Sequence, residues 1–519
     1  MPRSADDQRP LLRSSQAESP YGATGEQGTQ KKKFKEIWPL CIGLWTAVFC
    51  SALGATIVSN LQIEIGSYFR HGSLSSWLGT SFLTGLTVMT PLYGRLAMIM
   101  GRKAAIMMAL TFFFVGTISC ALAPTMSFIL AARSIAGMGS AGMLTVTAII
   151  ISDLVSVADR GLYQGGVNVL YGAGSATGAV VGGAIADRYG WRMAFWFQIP
   201  AISTAAFLIF WNVNVPHPET TDCAWTRFRR IDWAGSFVLV IAISSFTIAS
   251  SLKTSSGYPF AHPLVYGLAI LCVMTTLSFV WIENKALEPI LPMSLLTRLQ
   301  PSLVLAAFIY MQPVYLHVTR GLNGSQTGLL LLPSDIVGSA SSLYAGWHMR
   351  HFKEYKWFQA ILSVVPWLQA INLVTTWGPE TSPHLLWFGM AIGATGAGVT
   401  ITALLTALIS TVSSEDMSLA ISAAYLFRAI GQVIGVSAAG AIQQSILHRS
   451  LSSRLENYPE ALIHSIIQEP AKVIPYLEAG AQLQAKLAYL SGIRGVFTFT
   501  IIGGVALTAI CISIRAHPL

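Results

Sequence analysis

The sequence predicts an all-α polytopic membrane protein of about 14 transmembrane helices, on three observations. The 519 residues are 53% hydrophobic and only 11% charged, with a mean hydropathy of +0.57. A soluble domain carries about 25% charged residues. Apolar runs near or above roughly 18 residues recur along the chain, the length a helix needs to cross a hydrocarbon core about 30 Å thick. Finally, the bases gather in alternate connecting segments.

Residues 1–37 are polar and rich in Ser, Gln and Gly, and read as a disordered cytoplasmic tail with no secretory signal. Six spans follow at 38–58, 74–94, 104–122, 127–151, 162–184 and 192–213, making an N-terminal bundle over 38–213. The segment 214–231 is a Pro-, Thr- and base-containing cytoplasmic linker. Two additional spans, 232–251 and 263–283, occupy 232–283. Spans nine to thirteen fill 284–444, at 301–318, 326–347, 357–376, 384–411 and 417–444. The ninth is short and contains Pro313 and His317. A long non-cytoplasmic loop, 445–492, has helical periodicity and is expected to lie along the membrane surface. The region 493–519 holds the last span and a short cytoplasmic tail.

A cytoplasmic N-terminus puts Lys31-Lys32-Lys33, Arg102-Lys103, Arg227 to Arg230 and Arg350 to Lys356 on the cytoplasmic side. The net charge of +9 therefore orients a membrane protein and is not a nucleic-acid signal. The sequon at Asn323 then faces the opposite side as a candidate glycosylation site. Asp7, Leu11 and Leu12 form an acidic dileucine pattern of the kind trafficking adaptors read, which favours a vacuolar membrane, with the plasma membrane as the alternative.

Enzymatic classes find no support. There is no Gly-x4-Gly-Lys-Ser/Thr phosphate loop, no nucleophile–base pair and no metal-ligand spacing, so no cofactor or metal is expected. The six cysteines are scattered and read as packing thiols.

Charges inside spans are costly and commonly functional. Arg133 in span four and Arg428 in span thirteen are two such charges; the plain alternative is an arginine bonded to backbone carbonyls. Asp335 is the only acid well inside a span and follows Pro333, where a broken helix is expected. Its plain alternative is neutralisation by His348 or Arg350. Asn168, Gln198, Asn372 and Gln432 either line a substrate path or bond neighbouring helices.

Several stretches in order carry a resemblance. "YGRLAMIMGRK" places Gly94, Arg95, Gly101, Arg102 and Lys103 between spans two and three. "LGATIVSNLQI" opens in span one, "AARSIAGMGSAGM" lies in span four and "GSATGAVVGG" in span five. Together they resemble the loop, first-span, fourth-span and antiporter motifs of the major facilitator superfamily, in its fourteen-spanner drug:proton antiporter branch. "ADRGLYQG", "SLYAGWHMRHFKEYKW" and "YLFRAIGQVIGVS" look closest to the fungal vacuolar basic amino acid transporter and multidrug-resistance group.

The resemblance implies the major facilitator fold, two six-helix bundles plus two additional spans. It implies a proton-coupled antiporter moving a small molecule out of the cytosol, with basic amino acids into the vacuole or drugs and secondary metabolites as cargo. It also implies proton coupling at Arg133, and sliding surfaces at Gly174, Gly178, Gly182 and Gly183. Four positions depart from the pattern: Gly54 and Met98 replace aspartates, and Ile63 and Ala179 replace prolines. With those acids absent, Asp335 is the remaining candidate proton carrier. The same departures leave a non-transporting sensor as an alternative.

Overall fold

The computed structural model describes residues 34–70, 74–75, 77–213, 232–254, 262–285, 315–320, 324–378, 380–410, 412, 416–468 and 473–513. The tail before residue 34, the linker 214–231, most of the ninth span, and Asp7, Leu11, Leu12 and Asn323 lie outside these residues.

No strand occurs among the described residues. The first bundle comprises α1 (Phe34–Tyr68), α2 (Trp77–Ile99), α3 (Arg102–Leu122), α4 (Met126–Leu154), α5 (Val157–Tyr189), α6 (Trp191–Trp196) and α7 (Gln198–Asn212). A hairpin follows, α8 (Trp233–Thr254) and α9 (Pro263–Glu283). A π-helical turn at Tyr315–Thr319 precedes α10 (Gly324–Phe352), α11 (Lys356–Leu362), α12 (Val365–Thr376), α13 (Pro383–Ser410), α14 (Met417–Arg454), α15 (Glu460–Gln468) and α16 (Ala479–Ser513). Counting α6–α7 and α11–α12 as single crossings, 12 segments among the described residues are long and apolar enough to span a membrane. The 29-residue α10, at the predicted tenth span, is not among those twelve. It is less apolar because it is embedded between α5 and α13.

Two crossings break for a local reason. Proline clashes with the carbonyl four residues before it. For Pro200 that residue is Trp196, where α6 ends, and for Pro366 it is Leu362, where α11 ends. Pro333 does not act this way: α10 runs unbroken through it, contrary to the expected broken helix.

Two other expectations are corrected. α1 begins at Phe34, so the last residues assigned to the tail are helical. The expected surface-lying loop 445–492 is largely a helical extension. α14 has 38 residues and α16 has 35, about 57 and 52 Å, well beyond a core of about 30 Å. Leu447 and Leu451 of α14, with Leu455 just past its end, meet Ile463 and Ile466 of α15 and Ala485 and Tyr489 of α16 in a separate apolar cluster. Packing, rather than the bilayer, uses the periodicity.

The first bundle closes by backbone approach. A Cβ on Gly137 of α4 would land on the carbonyl of Phe82 in α2, and one on Gly85 would land on the carbonyl of Ser134. Such small-residue contacts let helices associate where no hydrophobic effect drives them together. The hairpin α8–α9 lies against α2 and α14, with Leu239, Ile243 and Phe279 touching Val88, Ala423 and Leu426. Most of α9 is exposed, with Leu277 62% and Trp281 62% accessible, as a lipid-facing helix requires.

Gly137→Ala should therefore destabilise the bundle by about 1–3 kcal/mol. Gly183→Ala, whose Cβ meets nothing within 4 Å, should not. Thermal unfolding of both variants in detergent checks this; equal midpoints would remove the close-approach argument.

Candidate functional site

The two bundles meet most tightly at the end carrying Gly101, Asp159 and Arg350, the basic end. α5 and α10 run antiparallel there. A Cβ on Gly346 would strike the carbonyl of Gly161, and one on Gly165 would lie 2.7 Å from the Cα of Leu343. Further along the seam, Asn168 Nδ2 donates to Ser342 Oγ at 2.7 Å and to Thr402 Oγ1 at 3.2 Å. Arg350 Nε pairs with Asp159 Oδ1 at 2.9 Å. The second seam joins α2 to α14, where Gly94 leaves room for Ser422. Gln164 Nε2 on α5 donates to the Tyr425 hydroxyl on α14 at 3.1 Å.

The basic turn belongs to this closure. Gly101 starts α3 at φ 86°, a left-handed value that favours glycine. Arg102 donates from Nε to Asp153 Oδ2 at 2.8 Å, from Nη1 to the Ala97 carbonyl at 2.8 Å, and across the bundles from Nη2 to Ser418 Oγ at 3.1 Å. The Lys103 amine sits 4.7 Å from the Phe210 ring centroid, and Arg95 is buried within α2. α14 has no acid in its first turn and no side-chain cap.

Between the bundles lies a cavity of ≈ 240 Å³. It runs from Ser51 and Ser140 at mid-bundle to Gln62 and Gly79 near the far end of α1 and α2. Arg133, Arg428, Asn168, Tyr171, Tyr425 and Gln432 line it. Arg133 is buried at 3% exposure. It donates to the carbonyls of Gly54 at 3.3 Å and Leu78 at 3.5 Å, and lies 4.3 Å from the Phe82 ring centroid. Carbonyls bind it, and it also faces the cavity.

Asn168 and Gln432 reach the cavity; Gln198 and Asn372 do not. Gln198 is buried in α7, where Nε2 donates to the Ala194 carbonyl at 3.0 Å. Asn372 is exposed on α12, accepting from Thr376 Oγ1 at 3.2 Å. Asp335 is half-buried at the α5–α10 seam, level with Gly172, and does not line the cavity. Neither neighbour expected to neutralise it is close. Arg350 is spent on Asp159. His348 stacks on Phe358 at 4.0 Å, thirteen residues or about 20 Å along the helix.

The motif glycines also differ from expectation. Gly174, Gly178 and Gly182 pack on Phe49, Leu53, Thr56 and Ile57 of α1, inside their own bundle, and Gly183 faces open space. The α5 glycines that meet the other bundle are Gly161, Gly165 and Gly172. Sequence reasoning missed Tyr171, Tyr425 and Gln164. Their signal was spacing: Gln164, Asn168 and Tyr171 share one face of α5, as Tyr425, Arg428 and Gln432 do on α14.

Two helical bundles that meet along two seams, with a cavity between them that arginines help to line, define a transporter that works between bundles. The sequence model of the Major Facilitator Superfamily matches residues 44–436, and the chain belongs to that family. It is a multi-pass membrane transporter and not an enzyme. It is 31% identical over 497 residues to the multidrug resistance protein fnx1 of Schizosaccharomyces pombe, covering 92% of each chain. It is 29% identical over 460 residues to vacuolar basic amino acid transporter 1 of Saccharomyces cerevisiae, covering 81% of this chain and 80% of the relative. The crystal structure of the human organic anion transporter MFSD10 shares the fold, with a TM-score of 0.57 at 14% identity, covering 90% of this chain and 98% of that one.

Asp416 is the N-cap of α14 and Met98 adds no second carboxylate there; a carboxylate at a helix N-terminus contributes about 0.3–1 kcal/mol. Met98→Asp should shift the population toward closure at the basic end by about two- to five-fold. Distances between spin labels on the two bundles measure this, and unchanged distributions would contradict it.

Proposed function

We propose that the chain is a proton-coupled antiporter that moves a small molecule out of the cytosol, with basic amino acids carried into the vacuole as the leading case. One observation carries the reading: an arginine-lined cavity, sealed at the basic end and reaching toward the far end, with a lone intramembrane acid beside it. On the positive-inside rule the basic end faces the cytosol, so this conformation offers the cavity to the other side. Rocking about the α5–α10 and α2–α14 seams then exposes the same cavity to the cytosol.

In this mechanism Asp335 takes a proton from the acidic side and releases it to the cytosol. It is suited to the task because, among the described residues, no base pairs with it. Arg133, tied to the carbonyls of Gly54 and Leu78, holds α4 to α1 and α2 and keeps a fixed positive charge on the cavity wall. Asn168 and Gln432 offer hydrogen bonds to the cargo. The dileucine pattern of Asp7, Leu11 and Leu12 supports adaptor-mediated delivery to the vacuolar membrane, and under the positive-inside orientation the sequon at Asn323 is a candidate glycosylation site on the non-cytosolic side. The likeness to a multidrug resistance protein supports a second cargo class, drugs or fungal secondary metabolites exported at the plasma membrane.

Uptake of labelled arginine and lysine by acidified vacuolar vesicles carrying the protein tests this. Uptake should exceed that of empty vesicles and collapse with a proton uncoupler. Asp335→Asn should fall to the empty-vesicle level, while Asp335→Glu retains part of the rate. No uptake by folded protein would remove the basic amino acid reading and turn the test to exported metabolites; ligand binding without accumulation of any solute would favour a sensor.

A further inference from the structure

The cavity lining holds two guanidiniums and, among the described residues, no carboxylate. Arg133 is already committed to two carbonyls and the face of Phe82. Arg428 is not. It is partly exposed on the cavity wall, and among the described residues its guanidinium makes no hydrogen bond or ion pair. Its described contact is the ring of Tyr425 on its own helix, with a centroid distance of 6.0 Å, at the outer limit of a cation–π interaction. Nor does the sequence of the ninth span offer a counter-ion, because "PSLVLAAFIYMQPV", residues 301–314, contains no Asp or Glu.

An arginine kept inside a membrane bundle without a counter-ion is costly unless water or a ligand reaches it. Its planar fork of donors matches a planar anion, to which it makes two parallel charge-assisted bonds. A single spare guanidinium balances one negative charge, which favours a carboxylate over a doubly charged phosphate. A cation entering the same space would stand between two fixed positive charges with no acid on the wall; a carboxylate would be drawn in by that field.

We infer that the cavity takes its substrate by a carboxylate held on Arg428, so that the carried molecule is an amino acid or a similar carboxylate-bearing solute rather than an organic amine or a cationic drug. The inference rests on the transporter reading and specifies its substrate class. It does not depend on Asp335.

The test is equilibrium binding of labelled arginine to the full-length protein in lipid nanodiscs, with competition by citrulline and agmatine. Citrulline keeps the carboxylate and loses the side-chain charge; agmatine keeps the charge and lacks the carboxylate. Citrulline should compete within about ten-fold of arginine, and agmatine should be weaker by about ten- to hundred-fold. Arg428→Gln should weaken arginine by a similar factor, and Arg428→Lys by less, because the charge survives and the fork does not. Unfolding midpoints of both variants separate lost binding from lost folding. Agmatine competing as well as arginine would overturn the inference. So would unchanged arginine binding in a folded Arg428→Gln protein, or no binding of arginine and citrulline by folded wild type. Uncoupler-sensitive uptake into vesicles is read separately: if it persists while agmatine competes equally, the antiporter stands and only the carboxylate anchor falls.

Discussion

Keeping a guanidinium inside a hydrocarbon slab is the constraint around which the first bundle is arranged. Even on insertion scales the cost is about 2.5–3.5 kcal/mol at the bilayer centre. For Arg133 the cost is met by carbonyls from α1 and α2 and by an aromatic face, so three helices converge on one side chain. Gly54 is integral to that arrangement. A Cβ there would lie 2.8 Å from Gln198 Oε1 and 2.9 Å from Phe113 Cζ, so a side chain at this position fits only if those two side chains shift. The backbone carbonyl of Gly54 serves as an acceptor for Arg133. Gly54, Gln198 and Phe113 form one packing unit.

Closure at the basic end follows the same economy of charge. One ion pair across the bundles joins Arg350 to Asp159, and Arg350 is 56% exposed; pairs of that kind are worth about 0–1 kcal/mol. What brings α5 against α10 is the absence of side chains at Gly161 and Gly346, followed by the Asn168, Ser342 and Thr402 hydrogen bonds deeper in the seam. Short-range packing and neutral hydrogen bonds are discrete: they are made or broken as the bundles rock, with little long-range electrostatic bias toward either state. A charge latch at position 98 would add such a bias, which the chain lacks.

The spans were legible in the sequence because hydropathy and length alone decide which segments cross a membrane. What lay beyond legibility was which neighbour each polar face meets. Asn168 and Gln198 look alike as single polar residues in spans, yet one lines the cavity and the other braces a helix behind it. The periodicity of 445–492 fits a surface-lying helix and a packed one equally, and only the cluster around Leu451 and Ile466 distinguishes them. Pro333 reads as a breaker like Pro200 and Pro366, but the helix around it is clamped between α5 and α13 and stays whole. Local propensity lost to tertiary packing there.

The sign of coupling constrains how a substrate sits. Tyr171 and Arg428 line the same cavity, and Gly172, the next residue, faces the Asp335 backbone. Binding energies at two linked sites are reciprocal. Were a bare carboxylate to sit on Arg428, protonating Asp335 would remove a nearby negative charge and strengthen its binding, so proton and substrate would travel together. A zwitterion seated with its carboxylate on Arg428 and its ammonium on the Asp335 side of the cavity reverses the sign. Ionised Asp335, at the seam outside the lining, then attracts the ammonium through space only, and protonation weakens that attraction, which is exchange. Antiport by this cavity therefore calls for a substrate carrying both charges on neighbouring atoms, an α-amino acid, and the same geometry run with a simple organic acid would work as a symporter.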